Sequence, residues 1–338
     1  MPGETPYYGA NGIQDYVDGY THDGEYVLVA EDGASDLKNY PVNYVNGRIW
    51  VNNHAHVLQG KNNIASNRFL SYAISLANIE SVLVGGGRAK LNADVMMNLN
   101  IDLPTYKEQC RVAEYFSNLD NLITLHQRKY NKLLNVKKSM LEKMFPKNGS
   151  NIPEIRFKGF TDPWEQRKFG DVVQITMGQS PDGSTYSDEP SDYILVQGNA
   201  DLQNGWVCPR VWTTQITKKA DAGDLIMSVR APAGAMGKTA YNAVIGRGVA
   251  AIKGNEFIYQ LLIKMDKEGY WKKDSTGSTF ESLNSSSIKN AEIKLPTLEE
   301  QNKIGEYFLN LDNLITLHQC ELEKLQNIKK SMLEKMFV

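Results

Sequence analysis

The ten residues NLDNLITLHQ stand at positions 118–127 and recur without a change at positions 310–319. The match extends without a gap over residues 103–145 and 295–337, at a constant offset of 192 positions and with about 30 of about 43 letters identical. An internal repeat has to be interpreted before any local pattern, because it determines the architecture of the whole chain. The sequence therefore predicts one unit built twice, each copy ending in the repeated segment.

Apolar residues in each copy are spaced alternately four and three positions apart, with charged residues between them. This heptad pattern is typical of a coiled-coil seam. The seam residues are Phe116, Leu119, Ile123 and His126 in the first copy, and Phe308, Leu311, Ile315 and His318 in the second. Lys137 and Lys329 continue the two seams. We expect the two helices to pack as an antiparallel coiled coil in which the seam histidines fix the register, rather than bind metal or sense pH.

Composition places the chain among ordinary globular proteins: 338 residues, 41% hydrophobic, 22% charged and a net charge of -2. No apolar run approaches the length of a membrane span, and the first residues lack the pattern of a signal peptide. Three widely spaced cysteines argue against a disulfide framework. These features predict a cytoplasmic protein.

Short β-type runs between Gly, Pro and Asn clusters precede each repeat copy. The clearest runs are residues 25–30, 47–52, 192–197 and 224–229, and each block then has one helical stretch, at 66–76 and at 255–265. We predict an α+β protein in which two α/β domains alternate with two long helices. The predicted boundaries are 1–102 for the first domain, 103–147 for the first helix, 148–163 for a linker, 164–294 for the second domain and 295–338 for the second helix.

A duplicated frame that carries two different variable surfaces suits the reading of a DNA target in two parts, since the duplex offers similar geometry to both halves. Loops rich in Asn, Ser, Thr, Tyr and Arg can reach base edges and phosphates. The candidate DNA-binding residues are Arg48, Arg68, Arg88 and Lys90 in the first block, and Lys218, Lys219, Arg230, Lys238 and Arg247 in the second.

Catalytic motifs are not found in the sequence. It has no phosphate-binding Walker loop, no dinucleotide fingerprint, no HExxH and no nucleophile elbow. His54 and His56 are ligand-like residues without a third ligand nearby, and the GGGR stretch at 85–88 is interpreted as a turn. We therefore expect neither a catalytic nor a metal site on this chain.

Three segments together resemble a known family: the LPxxxEQ entry at 103–109 and 295–301, the two helices that end in KKSMLEKMF, and the joint FKGFTDPWEQRKFG at 157–170. They are similar to the specificity subunit of type I restriction-modification systems. The resemblance implies two target recognition domains, an antiparallel coiled coil and no catalytic activity. It also implies that the chain binds double-stranded DNA, two modification subunits and then restriction subunits, with no membrane involved. No cofactor is expected on this chain, whereas S-adenosylmethionine, ATP and Mg²⁺ would be used by the partner subunits.

One departure from the family pattern concerns the first block. The second block begins with WEQRKFG at Trp164, 131 residues before Leu295, whereas only 102 residues precede Leu103. We expect the first block to be shorter by roughly 30 residues, as in a truncated or recombined allele or after a misplaced start codon. The alternative functions are a non-catalytic coiled-coil scaffold, a defective allele without DNA specificity of its own, and, less favoured, a stand-alone DNA enzyme.

Overall fold

The computed structural model describes residues 3–85, 89–147, 149–273 and 282–337. It contains both helices and sheets, which confirms the mixed α/β class. The chain divides into two compact units, unit 1 (Met1–Arg128 with Gln319–Val338) and unit 2 (Lys129–His318). Both units are therefore assembled from segments that include part of each repeated helix.

The helices of the described residues confirm the main helical predictions. The predicted stretches at 66–76 and 255–265 form α1 and α4, and the repeated segments form α3 and α7. Asn255 caps α4, because its side chain accepts a hydrogen bond from the Ile258 N–H at 3.0 Å. In chain order the helices are α1 (Asn67–Leu76), α2 (Ala93–Met97), α3 (Tyr106–Lys143), α4 (Glu256–Lys267), α5 (Tyr270–Lys273), α6 (Ser285–Lys289) and α7 (Leu298–Met336).

Unit 1 is built on a five-stranded sheet of order β2-β1-β4-β3-β5, in which β1 and β4 are parallel and the other pairs antiparallel. Side chains alternate between the two faces of β3, so that Val27 and Val29 belong to one buried cluster and Leu28 to another. The strands are β1 (Thr5–Gly9), β2 (Gly12–Val17), β3 (His22–Ala30), β4 (Val42–Val51) and β5 (Ala55–Leu58).

The described residues of unit 2 form three sheets, with orders β10-β11-β15-β14-β17-β7, β13-β16-β9-β12-β8 and β18-β6. The predicted strands at 192–197 and 224–229 are confirmed as β9 and β14. In unit 1 the predicted strands at 25–30 and 47–52 are confirmed as β3 and β4. The strands are β6 (Glu165–Lys168), β7 (Gln174–Met177), β8 (Tyr186–Ser187), β9 (Tyr193–Val196), β10 (Leu202–Gln203), β11 (Trp206–Val207), β12 (Trp212–Thr213), β13 (Lys219–Ala220), β14 (Leu225–Ser228), β15 (Met236–Lys238), β16 (Ala243–Ile245), β17 (Val249–Lys253) and β18 (Glu292–Leu295).

Within unit 1 the first part of α3 contacts the last part of α7. Lys329 Nζ lies 2.5 Å from Asp120 Oδ1. Six residues further along α3, His126 Nδ1 lies 3.0 Å from Glu321 Oε2. Because the residue numbers rise along α3 while they fall along α7, the two segments are antiparallel.

Unit 2 shows the same relation between the last part of α3 and the first part of α7. Lys137 Nζ lies 2.5 Å from Asp312 Oδ1, and the ring centroids of Phe145 and Phe308 are 6.1 Å apart. At the offset of 192, Lys137 and Lys329 are repeat counterparts, and so are Asp120 and Asp312. This ion pair therefore joins the same two repeat positions as the ion pair of unit 1. The repeat in sequence is therefore also a repeat in contacts.

The seam side chains are largely buried in their units. Phe116 and Phe308 are fully buried, and Ile123 and His126 are half-buried. The remaining predicted seam residues are exposed to less than a tenth: Leu119, Leu311, Ile315 and His318.

A buried ion pair ties the linker of unit 2 to the start of α7. Arg156 donates from Nε and Nη2 to the two carboxylate oxygens of Glu300, both at 2.7 Å. The side chain of Glu300 is 0% exposed and that of Arg156 only 12%. These hydrogen bonds raise the pKa of Arg156, so the guanidinium keeps its charge. A carboxylate at this depth requires its counter-charge, because an uncompensated buried charge is strongly destabilising.

We predict that Arg156→Ala lowers the unfolding free energy of unit 2 by about 3 to 5 kcal/mol, since Glu300 would lose its partner inside the protein. Urea unfolding followed by circular dichroism measures this change. The matched control is Arg167→Ala, whose partner Glu165 is 69% exposed. The control should cost at most about 1 kcal/mol, as exposed pairs do. Equal losses in the two variants would contradict the structural role of Arg156.

Candidate nucleic-acid interface

Five chain segments of unit 2 meet at one end of its two larger sheets, which we call the unit 2 tip: residues 178–180, 197–198, 217–218, 229–234 and 246–248. Strands β7, β9, β14 and β16 end here, and β13 and β17 begin here. The backbone joins the segments, since Gly178 donates to Val249 O at 3.0 Å and Gly246 donates to Val196 O at 2.8 Å.

Two arginines lie next to one backbone hydrogen bond at this tip. Ser228 of β14 pairs with Val249 of β17, and Val229 then donates to Gly248 O at 2.8 Å. Arg230 follows Val229 and Arg247 precedes Gly248, and Arg230 also forms an isolated antiparallel bridge with Ser282. Both arginines are exposed, and no ion pair engages either guanidinium in the part of the chain that the structure describes.

Glycines allow the loops of the tip to pack closely around Arg247. A Cβ added to Gly248 would lie 1.9 Å from the carbonyl oxygen of Gln197, and one added to Gly246 would lie 3.4 Å from Ser180 Oγ. The first distance is impossible for any residue with a side chain, so Gly248 is required by the close approach of the loop after β9. The Arg247 N–H is fixed in turn, because it donates to Ser180 Oγ at 3.2 Å.

A buried carboxylate orders the loop after β9. Asp201 is 3% exposed, and its Oδ2 accepts from the N–H groups of Gln197 and Gly198 at 2.7 and 3.1 Å. Its Oδ1 accepts from Arg210 Nε and Nη2 at 3.0 and 2.9 Å. Half of the Arg210 side chain, 49%, remains exposed. Asp201 thus holds a tip loop and an exposed guanidinium at the same time.

Sequence reasoning missed Asp201 and Arg210. A signal for them exists in the Asn204–Gly205 dipeptide, whose φ values of 50° and 78° are both positive. Such a dipeptide is the strongest short signal for a tight hairpin. Folding residues 201–210 as a hairpin brings its ends together, and the Cys208 N–H indeed donates to Asp201 O at 2.8 Å.

The lysines predicted in the second block differ in their surroundings. Lys218 is exposed at the tip, where its carbonyl oxygen accepts from the Ile245 N–H at 2.8 Å. The exposed Lys219 lies with Nζ 5.6 Å from the ring centroid of Tyr193.

Lys238 lies elsewhere, because it pairs in register with Leu225 at the opposite end of β14. Its side chain is only 13% exposed, and its Nζ lies 2.7 Å from Glu256 Oε2 and 4.4 Å from the ring centroid of Tyr259. The ammonium of Lys238 therefore stabilises the packing of α4 against β15, and the structure does not bring it to the tip.

Most of the candidates in the first block are engaged inside unit 1. Arg48 Nε lies 3.2 Å from Asp23 Oδ2 and its guanidinium 4.9 Å from the Tyr20 ring centroid. Lys90 Nζ lies 2.7 Å from Glu31 Oε1, and this hydrogen bond raises the pKa of Lys90.

Arg68 on α1 stacks on the Tyr44 ring at 4.6 Å and donates to Ser117 Oγ at 3.2 Å. Arg88, with most of the GGGR stretch, lies outside the described residues. Among its described candidates, Arg48, Arg68 and Lys90, unit 1 therefore shows no group of unpaired charges like that of the unit 2 tip.

The two histidines considered as metal ligands hold loops of unit 1. His54 Nδ1 lies 2.7 Å from Asp32 Oδ1, and His56 Nε2 lies 2.8 Å from the carbonyl oxygen of Leu91. A carbonyl oxygen can only accept, so His56 carries a proton on Nε2. Each ring thus anchors the β5 region to a different segment.

Comparison with known proteins decides the family. The sequence model of the type I restriction modification DNA specificity domain matches residues 1–135 and 161–327, most of the chain. The chain belongs to this family. No helix in the described part of the chain is long and apolar enough to cross a membrane.

Members of the specificity family from distant organisms align with this chain. A protein of Haemophilus influenzae, assigned as a type I restriction enzyme specificity subunit, is 28% identical over 94% of this chain and 83% of its own length. The MjaVIII specificity subunit of Methanocaldococcus jannaschii is 23% identical over 82% of this chain and 70% of its own length.

Solved structures of specificity subunits share the fold. The S subunit of a type I system from M. genitalium matches with a TM-score of 0.72 at 14% identity, covering 100% of this chain and 90% of that one. The HsdS subunit from Thermoanaerobacter tengcongensis matches with a TM-score of 0.51 at 23% identity, covering 94% and 81%. At such identities the likeness concerns the fold alone.

We predict that Asp201→Ala loosens the loop after β9 and lowers the unfolding free energy of unit 2 by about 2 to 4 kcal/mol, because several buried hydrogen bonds to a charged group are lost. Hydrogen exchange should show faster exchange of the Gln197 and Gly198 amides. The control Asp188→Ala removes an exposed carboxylate and should change stability by no more than about 0.5 kcal/mol. Unchanged exchange at Gln197 and Gly198 would contradict the role of Asp201.

Proposed function

We propose that this chain reads DNA as the specificity subunit of a type I restriction-modification complex, with a target in two parts separated by a gap. The observation that carries the proposal is the unit 2 tip, where Arg230, Arg247 and Lys218 lie exposed and without ion pairs among the described residues. Unpaired cations concentrated at one end of a sheet structure are what a polyanionic duplex attracts.

The tip has the chemistry for reading bases as well as for binding phosphates. An arginine can donate two hydrogen bonds to the O6 and N7 atoms of a guanine in the major groove. Arg230 and Arg247 each neighbour one residue of the Val229–Gly248 hydrogen bond, which allows one arginine to contact a base edge while the other binds the DNA backbone. Ser180 and Gln197 beside them supply the neutral donors and acceptors that base reading also uses. We infer that the half-site read by residues 164–294 is contacted through this tip.

We further propose that α3 and α7 pair along their whole length as an antiparallel coiled coil, which sets the distance between the two recognition domains. The ion pair Lys137–Asp312 of unit 2 and its repeat counterpart Lys329–Asp120 of unit 1 support this pairing. The same contact at repeat-related positions in the two units is what the pairing of one repeated seam with the other requires. In this arrangement residues 1–102 and 164–294 are the two recognition domains.

The outer faces of the paired helices suit the binding of partner subunits. They carry exposed leucines at equivalent positions, Leu122 and Leu125 in one copy and Leu314 and Leu317 in the other. Exposed apolar residues that recur at repeat-related positions favour two identical partners, here the two modification subunits. Restriction subunits would then join the complex. The chain itself acts without catalysis, and S-adenosylmethionine, ATP and Mg²⁺ are used by the partners.

A non-catalytic scaffold without DNA specificity is the alternative. For the first block it is favoured because Arg48, Arg68 and Lys90 already have partners within unit 1. It predicts that a change of tip residues has no effect on target choice. The following experiment separates the two functions.

We predict that Arg230→Ala or Arg247→Ala weakens recognition of the second half-site by about 1 to 3 kcal/mol, while the first half-site is unaffected. The measurement is a map of methylated sites in a host that expresses the variant with its cognate modification subunit. An arginine that binds only phosphate would instead weaken all sites alike. Arg167→Ala, which changes an arginine already paired with Glu165, serves as the control. Wild-type methylation at every site in both tip variants would favour the scaffold.

We predict that seven residues inserted into both helices, after Leu133 and Leu325, lengthen the gap between the half-sites by about 3 base pairs. Seven residues keep the heptad phase and add about 10 Å of helix. That length corresponds to about 3 base pairs at 3.4 Å each.

Insertion of four residues at the same places is the control, because it turns the seam to solvent and should unfold the pair. An active seven-residue variant whose methylation map shows an unchanged gap would mean that the partner subunits set the spacing.

A further inference from the structure

Each unit has its own aromatic cluster at the end of a repeated helix, and the cluster of unit 2 contains one ring more. In unit 1 the ring of Phe337 lies 4.9 Å from that of Phe69 and 5.8 Å from that of Phe116. In unit 2 its repeat counterpart Phe145 lies 5.3 Å from Phe257 and 6.1 Å from Phe308.

Unit 2 adds one more ring to this cluster, that of Trp164 from the joint between linker and domain. The indole lies 5.5 Å from the ring of Phe257 and 5.8 Å from that of Phe145, and it is 1% exposed. In unit 1 no tryptophan of the described residues takes this place.

The strand next to the cluster differs in the same way. In unit 2 Glu292–Leu295 forms β18 and pairs with β6, which directly follows Trp164. The repeat counterpart in unit 1 is residues 100–103, and no strand pairs with it in the described part of the unit. Leu103 is 41% exposed, whereas the equivalent Leu295 is 8% exposed. Residues 100–103 therefore present an open backbone edge.

One carboxylate at equivalent repeat positions also differs between the two units in its burial. Glu300 of unit 2 is fully buried against Arg156 of the linker. Its repeat counterpart Glu108 is exposed in the first turn of α3 and has no ion pair among the described residues. Tryptophan, strand and arginine are thus the three contributions that unit 2 receives from residues 156–168 and that unit 1 lacks.

The corresponding place in unit 1 is an open cavity of about 630 Å³. Its lining includes the aromatic rings, the open backbone edge and the exposed carboxylate described above. The residues concerned are Phe69, Ala73, Leu103, Glu108, Val112 and Phe337. We propose that this cavity binds an extended polypeptide segment with the pattern of residues 156–168: an arginine, a tryptophan eight residues later, and then a β-strand. The tryptophan packs against Phe69 and Phe337, the arginine pairs with Glu108, and the strand adds to residues 100–103.

The occupant is a second segment of this pattern, distinct from residues 156–168 of the same chain. Those residues are held in unit 2, where Trp164 and Glu300 are buried, and one copy cannot fill both places. The second segment would complete unit 1 by strand addition. This inference does not depend on DNA reading, so it can fail or hold independently of the proposed function.

The test uses the full chain and a fluorescein-labelled peptide with the sequence of residues 153–168, PEIRFKGFTDPWEQRK. Fluorescence anisotropy should show saturable binding of one peptide per chain. A peptide with the change corresponding to Trp164→Ala should bind at least about tenfold more weakly, because the buried aromatic anchor is lost. In the chain, Glu108→Gln should weaken binding several-fold, whereas the control Glu114→Gln, an exposed change on the same helix, should not.

Hydrogen exchange of the mixture locates the peptide. Protection of the amides of residues 101–103 supports the proposal. Absence of binding, equal binding of the two peptides, or changes confined to β18 would overturn it, the last because the peptide would then exchange with the chain's own segment. If the chain alone forms dimers that the peptide dissociates, the occupant is residues 156–168 of a second copy, and the assignment to a further segment of this pattern is wrong.

Discussion

The pairing of two nearly identical apolar seams is the constraint on which the rest of this protein depends. Each seam places Phe, Leu and Ile side chains on one side of a long helix, and these have to be covered. Within each unit the other helix covers them in the antiparallel sense, and the Lys–Asp ion pairs repeat at equivalent positions. Each unit therefore contains part of both helices, and the pairing inside the unit buries the seam residues that it carries.

Charge distribution separates residues that hold the fold from residues that are available for binding. Lys238 and Arg156 lie in nearly closed surroundings with a carboxylate within hydrogen-bonding distance, so each of them stabilises its own unit. Arg230 and Arg247 lie exposed on a loop frame that Gly248 and Asp201 make rigid. A rigid backbone frame lowers the cost of ordering the loop on binding, which favours both affinity and selectivity. In the sequence these four residues are all cations, and nothing local separates the two roles.

The sequence was sufficient for features that depend on local or repeated patterns. The gapless repeat predicted α3 and α7, short β-type runs between Gly, Pro and Asn clusters predicted β3, β4, β9 and β14, and the family resemblance followed from the LPxxxEQ, KKSMLEKMF and joint segments. The order of strands in the sheets depends on contacts between distant residues, and no local pattern contains it. For that reason the convergence of Lys218, Arg230 and Arg247 could not be predicted, although each had been named separately. The roles of Lys238 and Arg210 were missed for the same reason, since their carboxylate partners are set by folding.

We propose above all that this chain selects a DNA target in two parts. The most direct test is to sequence the methylated bases in a host that contains the wild-type chain with its cognate modification subunit. The account predicts one motif of two short specific sequences separated by a gap of constant length, and its disappearance when the chain is deleted. A continuous motif, a variable gap, or methylation that persists without the chain would contradict it.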